Sequence, residues 1–267
     1  MDDLSGRLGA RHRRLSILGV RFLPGLIFVP ILNVRNLRFG LAEGPTFLRA
    51  IHRLRHDVYV REFRFFDPVL YPDGILADEF DGMGMHAVAA QGEDVVAALR
   101  LALHSERGFP LQGVIPEFKA PKPPEQTGEV SHLVIAKAFR RRREDGLYGA
   151  ESYLKIAQGG ILPNAGPLSD HMKKRWGPLL TLGLFKVLYQ HSRRLGLESW
   201  LMLAERSLYQ VLNRYGLPFR QVADPLGGPE GPRPCLLLLN DLEKSLRLFD
   251  PRLFAEFTDG LEREYRP

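Results

Sequence analysis

Chemically useful side chains stand on either side of one short apolar run in the sequence. The run Leu133-Val134-Ile135-Ala136 is preceded by Glu129, Ser131 and His132, and four consecutive arginines, Arg140–Arg143, follow it. Its length and β-branched content are typical of a buried strand. A carboxylate or an imidazole can accept and return protons, whereas guanidinium groups suit phosphate. The pattern predicts a strand with proton-transfer groups at its start and an anion-binding turn at its end.

A second group of charged residues lies earlier in the chain. Asp78 and Asp81 fall in a stretch rich in proline and glycine, residues 67–85, which predicts a loop. Arg100 lies inside an apolar strand pattern, where an unpaired charge would be costly. We therefore predict that the acidic loop pairs with Arg100. The cluster would either orient a substrate or serve only as a structural salt bridge.

The surrounding pattern predicts the elements that must position these groups. Four apolar residues recur on one face of a helix near residues 47–58, and residues 105–128, with five prolines, form a connector. The other predicted elements are a hairpin of Met85–Ala90 and Val95–His104, a helix from Pro178 to Gly196, the strand Ser199–Ala204, a helix Glu205–Tyr215, a strand pair of Phe219–Val222 and Cys235–Leu239, and a final helix capped by Asn240 and Glu243. Together they indicate an α/β (α+β) domain, with a mixed central sheet flanked by helices.

Composition supports one ordinary globular unit. The 267 residues are 45% hydrophobic and 25% charged, with a net charge of +6, which is neither a disordered nor a fibrous composition. We divide the chain into a basic and apolar N-terminal segment (1–45), the main domain (46–250) and a C-terminal tail (251–267). The single cysteine, Cys235, can form no internal disulfide, and this fits a reducing, cytoplasmic location.

The N-terminal segment is the one candidate for membrane contact. Leu15–Leu32 is apolar and has a basic flank, but Arg21, Pro24 and Pro30 interrupt it, so a spanning helix is not expected. Residues 11–38 would instead lie peripherally on the inner membrane, with their basic side chains at lipid headgroups. The alternative is that the segment packs on the domain.

The motifs together resemble a known family. They are Arg55-His-Asp-Val-Tyr59-Val-Arg-Glu62-Phe63, Asp78-Glu-Phe-Asp81, Leu99-Arg100-Leu101, Glu129-Val-Ser131-His132-Leu133 with Arg140–Arg143, and Glu205-Arg206-Ser207-Leu208 before Arg214-Tyr-Gly216. In this order they resemble the autoinducer-synthase-like branch of the GNAT acyltransferases. That branch includes N-acyl amino acid synthases and PEP-CTERM/exosortase system-associated acyltransferases. The resemblance covers roughly residues 46–245.

The resemblance implies a fold, a reaction and a set of site residues. The fold would be GNAT acyl-CoA N-acyltransferase-like, and the reaction would move a fatty acyl group from an acyl carrier protein thioester to the amine of an amino acid or similar small molecule. Acyl-phosphopantetheine, on the carrier protein or on CoA, would be a donor substrate, with no bound cofactor or metal. Catalytic residues would be Glu129 as base, His132 as second candidate, Ser131, Asp78, Asp81 and Arg100. Substrate-binding residues would be Arg55, Tyr59, Phe63, Leu133, Val134, Ile135, Arg140, Arg141, Arg142 and Arg143.

Two departures from the family pattern narrow the expectation. The branch usually has arginine where this chain has His132, and the expected tryptophan is replaced by Phe65 and Phe66. Both favour the amino acid or PEP-CTERM-associated branches over homoserine lactone synthesis. The alternatives are an acyl-CoA-dependent GNAT enzyme with another acceptor, and a non-catalytic basic module that binds nucleic acid or a membrane. The chain lacks the aromatic platform of a single-strand binder, so no nucleic acid partner is expected.

Overall fold

One seven-stranded sheet organises the part of the chain that the computed structural model describes, residues 37–120, 122–140 and 176–267. The strands are β1 Leu37–Leu41, β2 Gly84–Gln91, β3 Asp94–Leu103, β4 Thr127–Ile135, β5 Ser199–Ala204, β6 Arg220–Gln221 and β7 Arg233–Leu238. Their order is β1-β2-β3-β4-β5-β7-β6, and β4 pairs with β5 in parallel while every other pair is antiparallel. The prediction of a mixed central sheet is confirmed.

Helices cover both faces of the sheet. They are α1 Pro45–Arg55, which continues as a π-helical segment His56–Glu62, then α2 Trp176–Leu195, α3 Arg206–Arg214, α4 Leu239–Phe249 and α5 Pro251–Thr258. The α1 layer buries Ile51 and Val58 against Val88, Ala98 and Val134. The larger core lies on the opposite face, where α2 and the C-terminal helices pack.

The π-helical segment was not predicted. Its backbone forms a wide turn, in which the Phe63 N–H donates to the carbonyl of Val58, five residues earlier, at 3.0 Å. Such insertions add a residue to a helix and often occur at functional sites. The segment directs Tyr59 and Val60 into the buried layer above the sheet.

The C-terminal residues are part of the domain. Residues 251–267 are predicted to be a tail, but Pro251–Thr258 is the helix α5, and Phe257 and Leu261 are buried in the main core. The predicted capping box of the preceding helix is wrong. Helix α4 begins at Leu239 without a side-chain cap, and Glu243 accepts a hydrogen bond from the Tyr189 hydroxyl at 3.0 Å. A buried tertiary partner has replaced the local one.

The N-terminal boundary also differs from the prediction. Leu37–Leu41 falls within the predicted N-terminal segment, yet it pairs with β2 as an edge strand of the sheet. Most of the predicted membrane-contact region, residues 11–36, lies outside the described residues. Within the described residues, the longest helices are too short or too polar to cross a bilayer.

Candidate active site

A bulge in β4 sets the geometry at the centre of the sheet. The pairing of β3 with β4 joins Ala98 to Val134 and Arg100 to Ser131, so β4 carries one extra residue at this point. His132 occupies the bulge with a φ of 53°, a left-handed conformation that side chains rarely adopt. Ser131 therefore faces the α1 layer, while Leu133 turns into the opposite core.

The strands β4 and β5 part just beyond Val130. Their paired register runs from Thr127 with Ser199 to Val130 with Met202, whereas β4 continues to Ile135. Leu133, Val134 and Ile135 are buried, with side chains that fill the two cores. The sequence analysis gives these three residues a binding role. Their side chains are occupied by packing, which leaves only their backbone groups to face the opening between the strands.

Asp81 is the centre of a buried charged cluster. Its Oδ1 accepts hydrogen bonds from Arg55 Nη1 at 2.7 Å and from Arg100 Nη1 at 2.9 Å. Both arginines are only 1% exposed, so their charges depend on this carboxylate. The Asp78 N–H donates to Asp81 Oδ2 at 2.9 Å and closes the loop around the carboxylate. The predicted pairing of the acidic loop with Arg100 is present, and Arg55 joins it.

Arg100 connects this cluster to the bulge. Its Nε donates to Ser131 Oγ at 2.9 Å, and its Nη1 also donates to Asp78. The other oxygen of Asp78 lies 3.1 Å from His132 Nε2. The side chains of Asp78 and His132 are 33% and 22% exposed, whereas that of Arg100 is 1% exposed. The structure thus brings five of the six predicted catalytic residues into one contact network, and its solvent-facing edge is formed by Asp78 and His132.

Glu129, the sixth, lies on the same strand face as Ser131. Its carboxylate is 2% exposed and accepts a hydrogen bond from the Leu111 N–H at 2.7 Å. Burial raises the pKa of Glu129 to about 7, although the Leu111 hydrogen bond and the charge of Arg100 oppose the rise. A carboxyl group that titrates near neutral pH can both take up and release a proton.

The pKa values of the neighbouring groups differ from that of Glu129. Burial acts to raise the pKa of Asp78, but hydrogen bonds from His132 and Arg100 outweigh it and hold the pKa well below its usual range. Burial also acts to raise the pKa of Asp81, but the contacts with His52 and Arg55 lower it further and keep Asp81 ionised. Burial lowers the pKa of His132 to about 4, against the hydrogen bond to Asp78. The cluster therefore holds two carboxylates, two guanidinium groups and a neutral imidazole at pH 7.

Two histidines of the cluster were missed by sequence reasoning as site residues. His86 Nδ1 lies 3.2 Å from Arg55 Nη2, and its Nε2 lies 3.0 Å from the Asp81 carbonyl. Since the arginine can only donate, Nδ1 is the acceptor and Nε2 carries the proton. His52 Nε2 lies 3.2 Å from Asp81 Oδ2. The available signal was the position of His86, which pairs with Arg100 across the predicted hairpin.

Tyr59 lies beside the bulge. The Tyr59 ring is buried, with centroids 6.0 Å from His132 and 6.1 Å from Phe65. Its hydroxyl donates to the Leu133 carbonyl at 3.0 Å. Tyr59, a predicted substrate-binding residue, therefore supports the strand with its hydroxyl and faces the site with its ring.

Arg140 is already engaged by the protein. Its guanidinium forms a partly buried ion pair with Glu62 and lies 5.1 Å from the centroid of the Phe63 ring. Phe63, a predicted substrate contact, therefore packs against Arg140 on the described side of the turn. Arg141, Arg142 and Arg143 lie outside the described residues.

A cavity of about 420 Å³ lies between the π-helical segment and the end of β4. Its lining mixes charged and apolar side chains: Leu54, Asp57, Val58, Arg61, Glu62, Ala136 and Lys137. Ala136 and Lys137 place it directly after the end of β4. Within the described residues, no three potential ligands from His, Cys, Asp and Glu are grouped closely enough to hold a metal ion.

Part of the chain matches the model of a known protein family. Residues 54–148 match the acetyltransferase (GNAT) domain model. This part of the chain is similar to GNAT domains. The matched range includes the charged cluster apart from His52, the bulge in β4 and Arg140. The prediction of a GNAT-fold acyltransferase enzyme is therefore confirmed.

Solved structures share the fold of this GNAT domain at low sequence identity. BjaI, described as a CoA-dependent acyl-homoserine lactone synthase with SAM and isopentyl-CoA, gives a TM-score of 0.52 at 17% identity, over 77% of this chain and 81% of its own. TofI, in a complex with an inhibitor and MTA, gives 0.54 at 14% identity over 80% and 98%. The AHL synthase LasI gives 0.51 at 16% identity over 79% and 93%. No curated protein matches the sequence. The resemblance to the autoinducer-synthase-like branch is confirmed at the level of the fold.

Proposed function

We propose that this GNAT enzyme transfers a fatty acyl group from the thioester of an acyl carrier protein to the amine of an amino acid or similar small molecule. The observation that carries the proposal is the buried carboxyl group of Glu129, with a pKa of about 7, on the strand that bears the bulge. A general base poised near the working pH is what deprotonation of an ammonium group requires.

The reaction needs an amine, a base and a site for the developing oxyanion. Glu129 takes a proton from the acceptor ammonium, and the amine nitrogen attacks the thioester carbonyl carbon. The negative charge on the carbonyl oxygen is stabilised by a backbone N–H among Leu133–Ile135, where β4 has parted from β5. When the intermediate collapses, the C–S bond breaks and the phosphopantetheine sulfur leaves as a thiolate, which takes up the second proton of the attacking nitrogen. The proton that Glu129 received is released to solvent. The products are an amide and a free thiol.

The solvent-facing edge of the charged cluster would orient the acceptor. Asp78 is ionised and partly exposed, so its carboxylate can attract an ammonium group. The neutral imidazole of His132 lies against it and is the second candidate for the base. Arg100 would hold Asp78 in place, since the guanidinium is bonded to Asp78, Asp81 and Ser131.

Two thioesters are candidates for the acyl donor. The arginine turn and the sequence resemblance support an acyl carrier protein, whose acidic surface suits guanidinium groups. The fold neighbour BjaI is described as CoA-dependent, which supports acyl-CoA as the second candidate. Both donors carry the same phosphopantetheine arm. Rates measured with each thioester at equal concentration would separate them.

A product search tests the proposed reaction. Purified protein is incubated with acyl carrier protein or CoA thioesters of several chain lengths and a mixture of amino acids, and N-acyl products are sought by mass spectrometry. We expect an amide product that Glu129→Gln abolishes while carrier-protein binding remains. The matched control is Glu125→Gln, a change at an exposed residue outside the site, which should leave turnover unchanged. Absence of product with every donor and acceptor would contradict the proposal.

A further inference from the structure

The segment after β3 folds back over Glu129. It leaves the strand at Leu103, and its Leu111 N–H donates to Glu129 Oε2 at 2.7 Å. Phe109 and Leu111 are 2% and 1% exposed, and Phe109 packs in a small core with Leu201 and Leu236. A polar backbone group is thus delivered to the carboxylate from a well-packed turn.

Gln112 braces this turn on both sides of Leu111. Its Oε1 accepts a hydrogen bond from the Phe109 N–H at 2.9 Å, and its Nε2 donates to the Phe118 carbonyl at 3.2 Å. Both ends of one side-chain amide are therefore used to hold the backbone. Because Leu111 lies between Phe109 and Gln112, the direction of its N–H is set by this brace.

Gly108 leaves the space that the brace occupies. A Cβ atom at this position would lie 2.2 Å from Gln112 Oε1, which is far inside van der Waals contact. Its φ of 74° is also a conformation that favours glycine. The Gln112 amide therefore packs directly against Gly108, and a side chain at position 108 would displace it.

We propose that Gln112 is a positioning residue for Glu129: it fixes the turn so that the Leu111 N–H binds Oε2 and leaves Oε1 to receive the proton of the amine. This inference rests on the proposed function, in which Glu129 is the base. The hydrogen bond also acts on the proton affinity of Glu129, since an N–H donor favours the ionised form. Two charged groups also shift the pKa of Glu129: Arg100 on β3 and Asp78 of the acidic loop.

The first test measures the proton affinity of Glu129 without using turnover. The carboxyl carbons of glutamate are labelled with ¹³C, the Glu129 resonance is assigned by its loss in Glu129→Gln, and its chemical shift is followed by NMR from pH 5 to 9. Gln112→Met fills the same space and removes both hydrogen bonds. We expect it to raise the pKa of Glu129 by about one unit, because a donor to the charged form is weakened.

A second variant and a matched control make the result specific. Gly108→Ala displaces the Gln112 amide without changing it and should move the Glu129 pKa in the same direction. Gln126→Met makes the same chemical change on the nearby turn Pro124–Gln126 and should leave the pKa where it is. An unchanged Glu129 pKa in both Gln112→Met and Gly108→Ala would overturn the positioning role.

The second test uses the pH dependence of kcat/KM. With a raised Glu129 pKa, Gln112→Met should lose several-fold in rate near pH 7 and regain it near pH 9, where Glu129 is again ionised. A loss of equal size at every pH would assign Gln112 a structural role only and overturn the proposal. Full activity of Glu129→Gln would overturn the proposed base instead, and the NMR titration would still decide whether Gln112 positions the carboxylate.

Discussion

The hydroxyl group of Tyr59 donates a hydrogen bond to the carbonyl oxygen of Leu133, 3.0 Å away. This contact joins the π-helical segment to β4 directly beside the bulge at His132. Because the wide helical turn sets the position of Tyr59, and the bulge sets the direction of the Leu133 carbonyl, two local irregularities depend on one bond. The site is thus built where both backbones depart from regular geometry.

Tyr59→Phe should loosen this junction while keeping the ring. Loss of one buried hydrogen bond is expected to lower the free energy of unfolding by about 1 kcal/mol. We also expect slower acyl transfer, because the bulge that carries His132 is held less firmly. Urea denaturation and steady-state rates would measure the two effects. Tyr71→Phe, at a partly buried tyrosine of the following loop, is the control. Equal stability of the Tyr59 and Tyr71 variants would contradict a supporting role for the hydroxyl.

Asp81→Asn should destabilise the protein far more than Asp78→Asn. Asp81 faces two buried guanidinium groups, so removing its charge leaves Arg55 and Arg100 with insufficient compensation. A loss of about 3 kcal/mol is expected for Asp81→Asn. For Asp78, whose side chain is one-third exposed, about 1 kcal/mol is expected.

Urea unfolding midpoints at pH 7 would rank these two variants, provided that the slope of the transition is unchanged. The two substitutions are chemically identical and lie three residues apart in one loop, so each serves as the control for the other. A larger loss for Asp78→Asn would show that Asp81 is not the anchor of the cluster.

The backbone at His132 gives a third expectation, about stability alone. Both His132→Gly and His132→Ala remove the imidazole, but only glycine adopts a φ of 53° without a steric penalty. The glycine variant should therefore be more stable than the alanine variant by about 1 kcal/mol.

Thermal melting of the two variants checks this order. Ala87→Gly, within the extended part of β2, is the control; there glycine should be the less stable residue. If His132→Ala were the more stable of the His132 pair, β4 would not carry a strained bulge in solution.

Much of the fold could be predicted from hydrophobic periodicity. The hairpin of β2 and β3, the strand Ser199–Ala204 and the helix that ends before Gly196 were predicted within a few residues, because each is a long or clearly bounded pattern. Edge strand β1 was missed because Leu37–Leu41 lies in a stretch whose basic and apolar composition suggested a different role. The cap of α4 was wrong because Tyr189, far away in the sequence, offered Glu243 a buried partner.

The candidate site was predictable in its residue types and less so in its contacts. An arginine within an apolar strand must find a carboxylate, and this rule led from Arg100 to the acidic loop. No local rule could show that Asp81 also binds Arg55, or that His86 completes the cluster, because these contacts depend on strand register. The bulge at His132 could not be predicted for the same reason. The sequence also does not show that Glu62 and Phe63 contact Arg140, because these partners lie about 80 residues away.

The pKa of Glu129 predicts a pH-dependent stability that needs no substrate. In the folded protein burial raises the pKa of Glu129 from its ordinary value of 4.5 to about 7. The native state therefore favours the protonated form, and the stability that this form contributes is present below pH 4.5 and is lost as the pH rises through 7. Glutamine cannot ionise, so Glu129→Gln keeps its stability over this range.

Urea unfolding of wild type and Glu129→Gln at pH 5 and pH 8 measures the difference. From pH 5 to pH 8 the free energy of unfolding of the variant should rise, relative to that of wild type, by up to about 3 kcal/mol. Other titrating groups are common to both proteins and cancel in the comparison. Glu125→Gln, at an exposed carboxylate, should show no such pH dependence. If the difference in free energy of unfolding between wild type and Glu129→Gln stayed constant from pH 5 to pH 8, Glu129 would have an ordinary pKa. It would then not be a base whose pKa lies near neutral pH.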